Sequence, residues 1–176
     1  MTTLIDPDRP HWHLAQMNVG RTVDGLDTPR LAEFVAQLDE INALADASPG
    51  FVWRLQSEAG SAVDIKPTDD PRFIVNMSVW THPEALFDYV YKSVHTKVMA
   101  RRREWFEKPA TAFQVLWWVP AGHRPTVEEG LARLDELRAH GPTARAFTFK
   151  ALFPAPSAAG AARDLEPEPY CASYGS

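Results

Sequence analysis

Four stretches of this chain place an apolar side chain at every second position, and that rhythm limits the fold more than any other feature. They are Ala15, Met17 and Val19; Phe51, Trp53 and Leu55; Phe73, Val75, Met77 and Val79; and Phe113, Val115, Trp117 and Val119. The intervening residues are mixed: Gln16 and Asn18, Arg54 and Gln56, Asn76, Ser78 and Trp80, Gln114 and Trp118. A strand turns successive side chains to opposite faces, so four half-polar strands predict one antiparallel sheet with an apolar face and a more polar one. Residues 146–152 read as a fifth, shorter strand.

Three other stretches carry helical spacing. Leu31, Phe34, Val35, Leu38, Ile41 and Ala45 follow a three-to-four repeat, with Thr28 placed to cap and Pro29 at the first helical position. A long helix is predicted over residues 83–106, with Leu86, Val90, Val94, Val98 and Trp105 as its stripe and Thr81 with Glu84 as a capping box. A third helix is predicted over residues 127–140, opened by Thr126 and Glu129 and stopped by Gly141-Pro142. The resulting order, strand-helix-strand-strand-helix-strand, is the split βαβ arrangement of a ferredoxin-like α+β fold, with helices on one sheet face. The other face would carry Asn18, Arg54, Ile74, Asn76, Trp80 and Trp118. A half-apolar face with two tryptophans is better covered than wet, which predicts a symmetric homodimer joined sheet to sheet. The alternative is a monomer whose N-terminal arm or tail folds over that face.

The chain has 176 residues, 45% of them hydrophobic, enough for one domain with a real core. Residues 1–10 read as an irregular arm, 11–153 as the compact domain, and 154–176 as a Pro/Ala-rich tail. A single cysteine, Cys171, precludes a disulfide framework within one chain. The formal charge of −5 argues against general binding to nucleic acid or to an anionic membrane. No apolar run is long enough to cross a bilayer and residues 1–10 lack a signal-peptide core, so a cytoplasmic protein is expected.

Three segments bear a family resemblance: residues 80–95 (WTHPEALFDYVYKSVH), 101–106 (RRREWF) and 116–126 (LWWVPAGHRPT). The first resembles the strand-to-helix segment of antibiotic-biosynthesis-monooxygenase-like proteins, where a Trp ends a strand and a Ser-x-His-like element follows. Together the three are similar to an uncharacterised bacterial family of the dimeric α+β-barrel superfamily. That resemblance implies a ferredoxin-like subunit whose sheet joins a second copy's. In relatives a small-molecule cavity lies between helices and sheet. Its lining here would be Trp53, Met77 and Trp117 on the sheet, with Tyr91, His95 and Met99 on the long helix.

Tyr91, His95, Met99, Arg102 and Phe106 recur every three or four positions and fall on one flank of that helix. His95 and Tyr91 are the candidate catalytic pair, a base and a hydrogen-bond donor for a flat phenolic substrate. Trp53, Met77, Met99 and Trp117 would hold that substrate, with Trp80 and Asn18 at the sheet edge. Arg101, Arg102 and Arg103 fan around a helix and cannot all face one ligand; Arg102 is assigned to a buried carboxylate or a substrate anion. His11 and His13 share one side of a strand and His82 or His123 offers a third ligand, but no His-x-x-x-His or carboxylate-His pairing of the usual spacing accompanies them, and no metal is expected. In the haem-degrading branch the iron ligand falls at a position near Met99, which is not a histidine. No cofactor is therefore expected, and haem binding is the third alternative. The leading expectation is an enzyme resembling cofactor-independent monooxygenases or cyclases of secondary metabolism, acting on an aromatic or polyketide-like molecule. The second is a non-catalytic hydrophobic-ligand-binding or scaffold dimer.

Overall fold

The computed structural model describes residues 12–58, 60–93 and 95–156. The arm over residues 1–10, the tail beyond 156 and the His95 side chain lie outside what is described. Strands β1 (Trp12–Arg21), β2 (Phe51–Arg54), β3 (Phe73–Trp80) and β4 (Gln114–Pro120) form one antiparallel sheet in the order β2-β3-β1-β4. Helix α1 (Ala32–Asp46) links β1 to β2, and α2 (Pro83–Lys92), α3 (His95–Ala100) and α4 (Arg102–Trp105) link β3 to β4. Helix α5 (Val127–His140) follows β4. The fold is α+β and ferredoxin-like.

Each alternating strand set serves a different layer. Ala15, Met17, Val75, Met77, Val115 and Trp117 are buried against Leu134 and Leu137 of α5. On the opposite face Leu14, Trp80 and Leu116 pack under Leu86 and Val90 of α2, while Ile74 packs with Leu31 and Phe34 beside α1 and Trp105 of α4. This corrects the sequence expectation of helices on one face only, set against the apolar alternation. The two crossover connections both run over the mixed face, and α5 takes the apolar one. The sheet-to-sheet dimer inferred from Asn18, Arg54, Ile74, Asn76, Trp80 and Trp118 loses its basis, because the chain's own helices occupy that face. Phe147 and Phe153 pack there too, and the Trp118 indole donates to the Phe153 carbonyl at 2.9 Å.

The predicted long helix is three short ones. Ser93 is extended at φ −107°, ψ 179°. Its hydroxyl donates to the Tyr89 carbonyl, and that of Thr96 to the Val90 carbonyl at 3.3 Å. Hydroxyls that take the last-turn carbonyls compete with the backbone ladder and end the helix. The Thr81–Glu84 box does not form; Thr81 is hydrogen-bonded to the neighbouring His82 ring at 2.7 Å. Helix α1 starts at Ala32 because the Thr28 hydroxyl closes a turn on the Gly25 carbonyl at 2.7 Å instead of capping. Helix α5 matches its expected bounds, with Thr126 accepting from the Glu129 amide at 3.1 Å and Gly141 at φ 73°. The fifth strand shrinks to one bridge, Leu116 with Phe147, because turns at Thr143–Ala146 and Thr148–Ala151 bend the chain away. No helix among the described residues is long and apolar enough to cross a membrane.

Candidate functional site

Where the α1, α2–α3 and α4 layer lifts off the sheet, a cavity of about 210 Å³ opens. Its floor is built of amides. Asn18 stands opposite Asn76 on β3 and opposite Gln114 on β4, and Gln16 opposite Ser78. Gln16 Nε2 donates to Asn76 Oδ1 at 2.8 Å and to Ser78 Oγ at 3.0 Å, while Asn18 Nδ2 donates to Gln16 Oε1 at 3.3 Å. Trp80 Nε1 donates to the same Ser78 hydroxyl at 2.8 Å. Cross-strand neighbours of this kind are close enough to bond side chain to side chain. They make a rigid polar floor beneath walls of Phe34, Ile41, Val90 and Met99.

Arg102 enters from α4. Its guanidinium carbon lies 4.6 Å from the Phe106 ring centre and 4.5 Å from that of Phe113, a cation in contact with two aromatic rings. One nitrogen, Nη2, donates to the Val19 carbonyl at 3.4 Å. Burial lowers its pKa from the ordinary arginine value. Arg101 differs: Glu33 and Glu104 hold it, and those hydrogen bonds raise its pKa.

Of the site residues expected from sequence, the structure brings Asn18, Tyr91, Met99 and Arg102 to this cavity. Tyr91 is 50% exposed, at the rim against Phe87 and Phe149. Trp53, Met77 and Trp117 do not line it. Period-two alternation puts them on the α5 face, where Trp117 donates its indole N–H to Glu129 at 3.1 Å. Trp80 is on the cavity side but one layer deeper, stacked on Tyr89. His95 opens α3, the helix that supplies Val98 and Met99 to the wall; its side chain is outside the described part. The lining that the sequence reading missed as such is the amide set Gln16, Asn76 and Gln114 with the rings Phe106 and Phe113. A signal existed: polar amides recur at matching alternate positions of three strands.

Among the described lining side chains only Tyr89, Tyr91 and Arg102 are ionisable. Burial pushes the Tyr89 hydroxyl up from 10.0 to about 12, so it stays a neutral donor, here to the Ile41 carbonyl at 3.3 Å. The folded chain thus keeps a proton that the unfolded chain gives up. The associated stability is present below pH 10.0 and lost as pH rises through about 12. Denaturant midpoints measured across that range are expected to fall, and Tyr89→Phe to flatten the fall; an unchanged slope in the variant would place Tyr89 in water. Elsewhere His13 Nδ1 is buried on the α5 side without a partner among the described residues, and burial lowers its pKa. Among the described residues no three His, Cys, Asp or Glu side chains cluster as a metal site would need.

The fold is α+β and ferredoxin-like, with a cavity of about 210 Å³ between sheet and helices. The chain belongs to the family described as a domain of unknown function, DUF3291, which matches residues 13–163. No curated protein matches it. Similar solved structures include SnoaB from Streptomyces nogalater, a cofactor-independent oxygenase, at 15% identity and TM-score 0.44, covering 64% of this chain and 95% of that one. Rv0793 from Mycobacterium tuberculosis matches at 15% identity and TM-score 0.43, covering 65% and 99%. NE2512 from Nitrosomonas europaea, of unknown function, matches at 13% identity and TM-score 0.41, covering 66% and 95%.

Proposed function

We propose that this protein is a small-molecule enzyme that works on a flat aromatic substrate held between the amide floor and the helices, in the manner of a cofactor-independent monooxygenase or cyclase. The cavity carries the proposal. An engineered apolar cavity of about 150 Å³ admits benzene, and drug-sized sites start near 300 Å³. At about 210 Å³ the space selects a molecule of one or two rings over an extended polyketide. Amide groups would orient its oxygen substituents, Met99 and Ile41 would cover its face, and Tyr91 would stand at the mouth. His95, at the first position of α3, is the proposed proton acceptor.

One observation favours a second reading, ligand binding without turnover: none of the described lining side chains is an Asp, Glu, Cys, Lys or His. Oxygen uptake by the full chain over a panel of one- and two-ring phenols separates the two. The monooxygenase reading expects uptake without added cofactor and the cyclase reading a rearranged product without uptake, either one abolished in His95→Ala while fluorescence-detected binding persists. Binding across the panel with no uptake and no product leaves the non-catalytic reading. No binding at all contradicts both.

A further inference from the structure

Among the described residues the cavity holds a cation and no anion. Its described lining includes Arg102 but neither aspartate nor glutamate, and among the described residues no carboxylate comes within ion-pair distance of that guanidinium. Neighbouring cations are treated otherwise: Arg101 is held by Glu33 and Glu104, Arg72 by Glu107, and Arg21 by Asp70 and Glu107. A partly buried guanidinium without a counter-charge among the described residues carries a desolvation cost that its two ring contacts and one carbonyl hydrogen bond offset only in part.

Its setting leaves hydrogen-bonding capacity in hand. The Phe106 and Phe113 ring centres lie 4.6 Å and 4.5 Å from the guanidinium carbon, and rings of this kind use none of its N–H groups as a hydrogen-bond acceptor oxygen would. Five N–H donors lie in the guanidinium plane, and one bonds to Val19. The floor supplies further donors. Asn76 accepts from Gln16 and from Asn18 through Oδ1, and among the described residues neither its Nδ2 nor the Gln114 side-chain amide has a hydrogen-bond partner. A guanidinium lining the same cavity as amide N–H groups is the donor set that a planar oxyanion requires.

We infer that the ligand is an organic anion, a carboxylate or a similarly planar oxyanion on a one- or two-ring body, seated with its charged end on the edge of Arg102. This rests on the cavity being a ligand site, as proposed above, and names the chemical class it takes. Burial that depresses the arginine pKa is the expected state of such a site before its anion arrives.

The test compares naphthoate with naphthamide, alike in shape and different in charge, by calorimetric titration of the full chain and of Arg102→Met and Arg102→Lys. Charge-assisted hydrogen bonds of this kind favour the acid by about 10- to 100-fold in the native protein. That preference is expected to vanish in Arg102→Met and to survive in part in Arg102→Lys, with naphthamide affinity little changed in either. Equal affinities for acid and amide in the native chain overturn the anion assignment while leaving the cavity as a ligand site, and this arm needs no variant to fold. An acid preference that persists in Arg102→Met overturns the role of Arg102. If neither compound binds, the cavity reading fails and this inference with it.

Discussion

Trp80→Ala is expected to cost the fold about 4 kcal/mol, at the upper end of what removing a large core side chain does. Trp80 is fully buried. Its ring stacks on Tyr89 at 5.1 Å and meets the edge of Phe51 at 5.5 Å, and Leu86 of α2 belongs to the same cluster. Alanine would leave a void beneath α2 too well framed to collapse. The damage would also reach the site, because the Trp80 indole and the Gln16 amide share the Ser78 hydroxyl. Urea unfolding followed by circular dichroism measures the loss, and Trp80→Phe is expected to recover roughly half of it. A loss below about 1 kcal/mol, the size of an ordinary surface substitution's effect, would mean that α2 does not seat on this ring.

The second large effect lies on the opposite face. A Cβ built on Gly130 of α5 would come within 2.4 Å of Met17 Cε, 2.7 Å of Met17 Sδ and 3.3 Å of Met77 Sδ. Glycine costs about 1 kcal/mol in a helix interior relative to alanine, and close approach to the sheet is what it permits here. Both methionines are wholly buried, so their flexible ends have little room to retreat. Gly130→Ala is therefore expected to come out within about 1 kcal/mol of the native chain, helix propensity offsetting crowding. Gly130→Leu is expected to lose about 3 kcal/mol by lifting α5 off the sheet. Thermal unfolding with near-ultraviolet dichroism of Trp117 checks both, and a Gly130→Leu variant as stable as the native chain would contradict the close packing of α5.

Much of the fold was legible in the residues, and the reasons are local. Four alternating stretches became four strands in the anticipated order, and Thr126 with Gly141 marked both ends of α5. What alternation does not encode is which face a crossover covers. The apolar set around Met17 and Trp117 pointed to the helical layer, yet the chain reserves it for α5 and lays its crossovers over the mixed face. The tryptophans drew attention as a binding wall, whereas Trp53 and Trp117 belong to the α5 side and Trp80 is packed beneath α2 on the cavity side. Gln16, Asn76 and Gln114 read in isolation as a wet strand surface. They become a floor only through the register that sets Asn76, Asn18 and Gln114 in one row. Nor does helical periodicity reveal the break at Ser93, which depends on a hydroxyl-to-carbonyl bond. Arg102 was legible for the opposite reason: three successive arginines cannot face one way, and the structure pairs Arg101 outward with glutamates while turning Arg102 inward.

The most direct measurement is a nitrogen-labelled spectrum of the full chain titrated with naphthoate, reading side-chain amide and indole signals together. The NH₂ signals of Asn18, Asn76 and Gln114 are expected to move in step with occupancy while the Trp117 indole, on the far side of the sheet, stays in place. Shifts gathered at the Trp117 indole with the three amides unmoved would contradict that expectation.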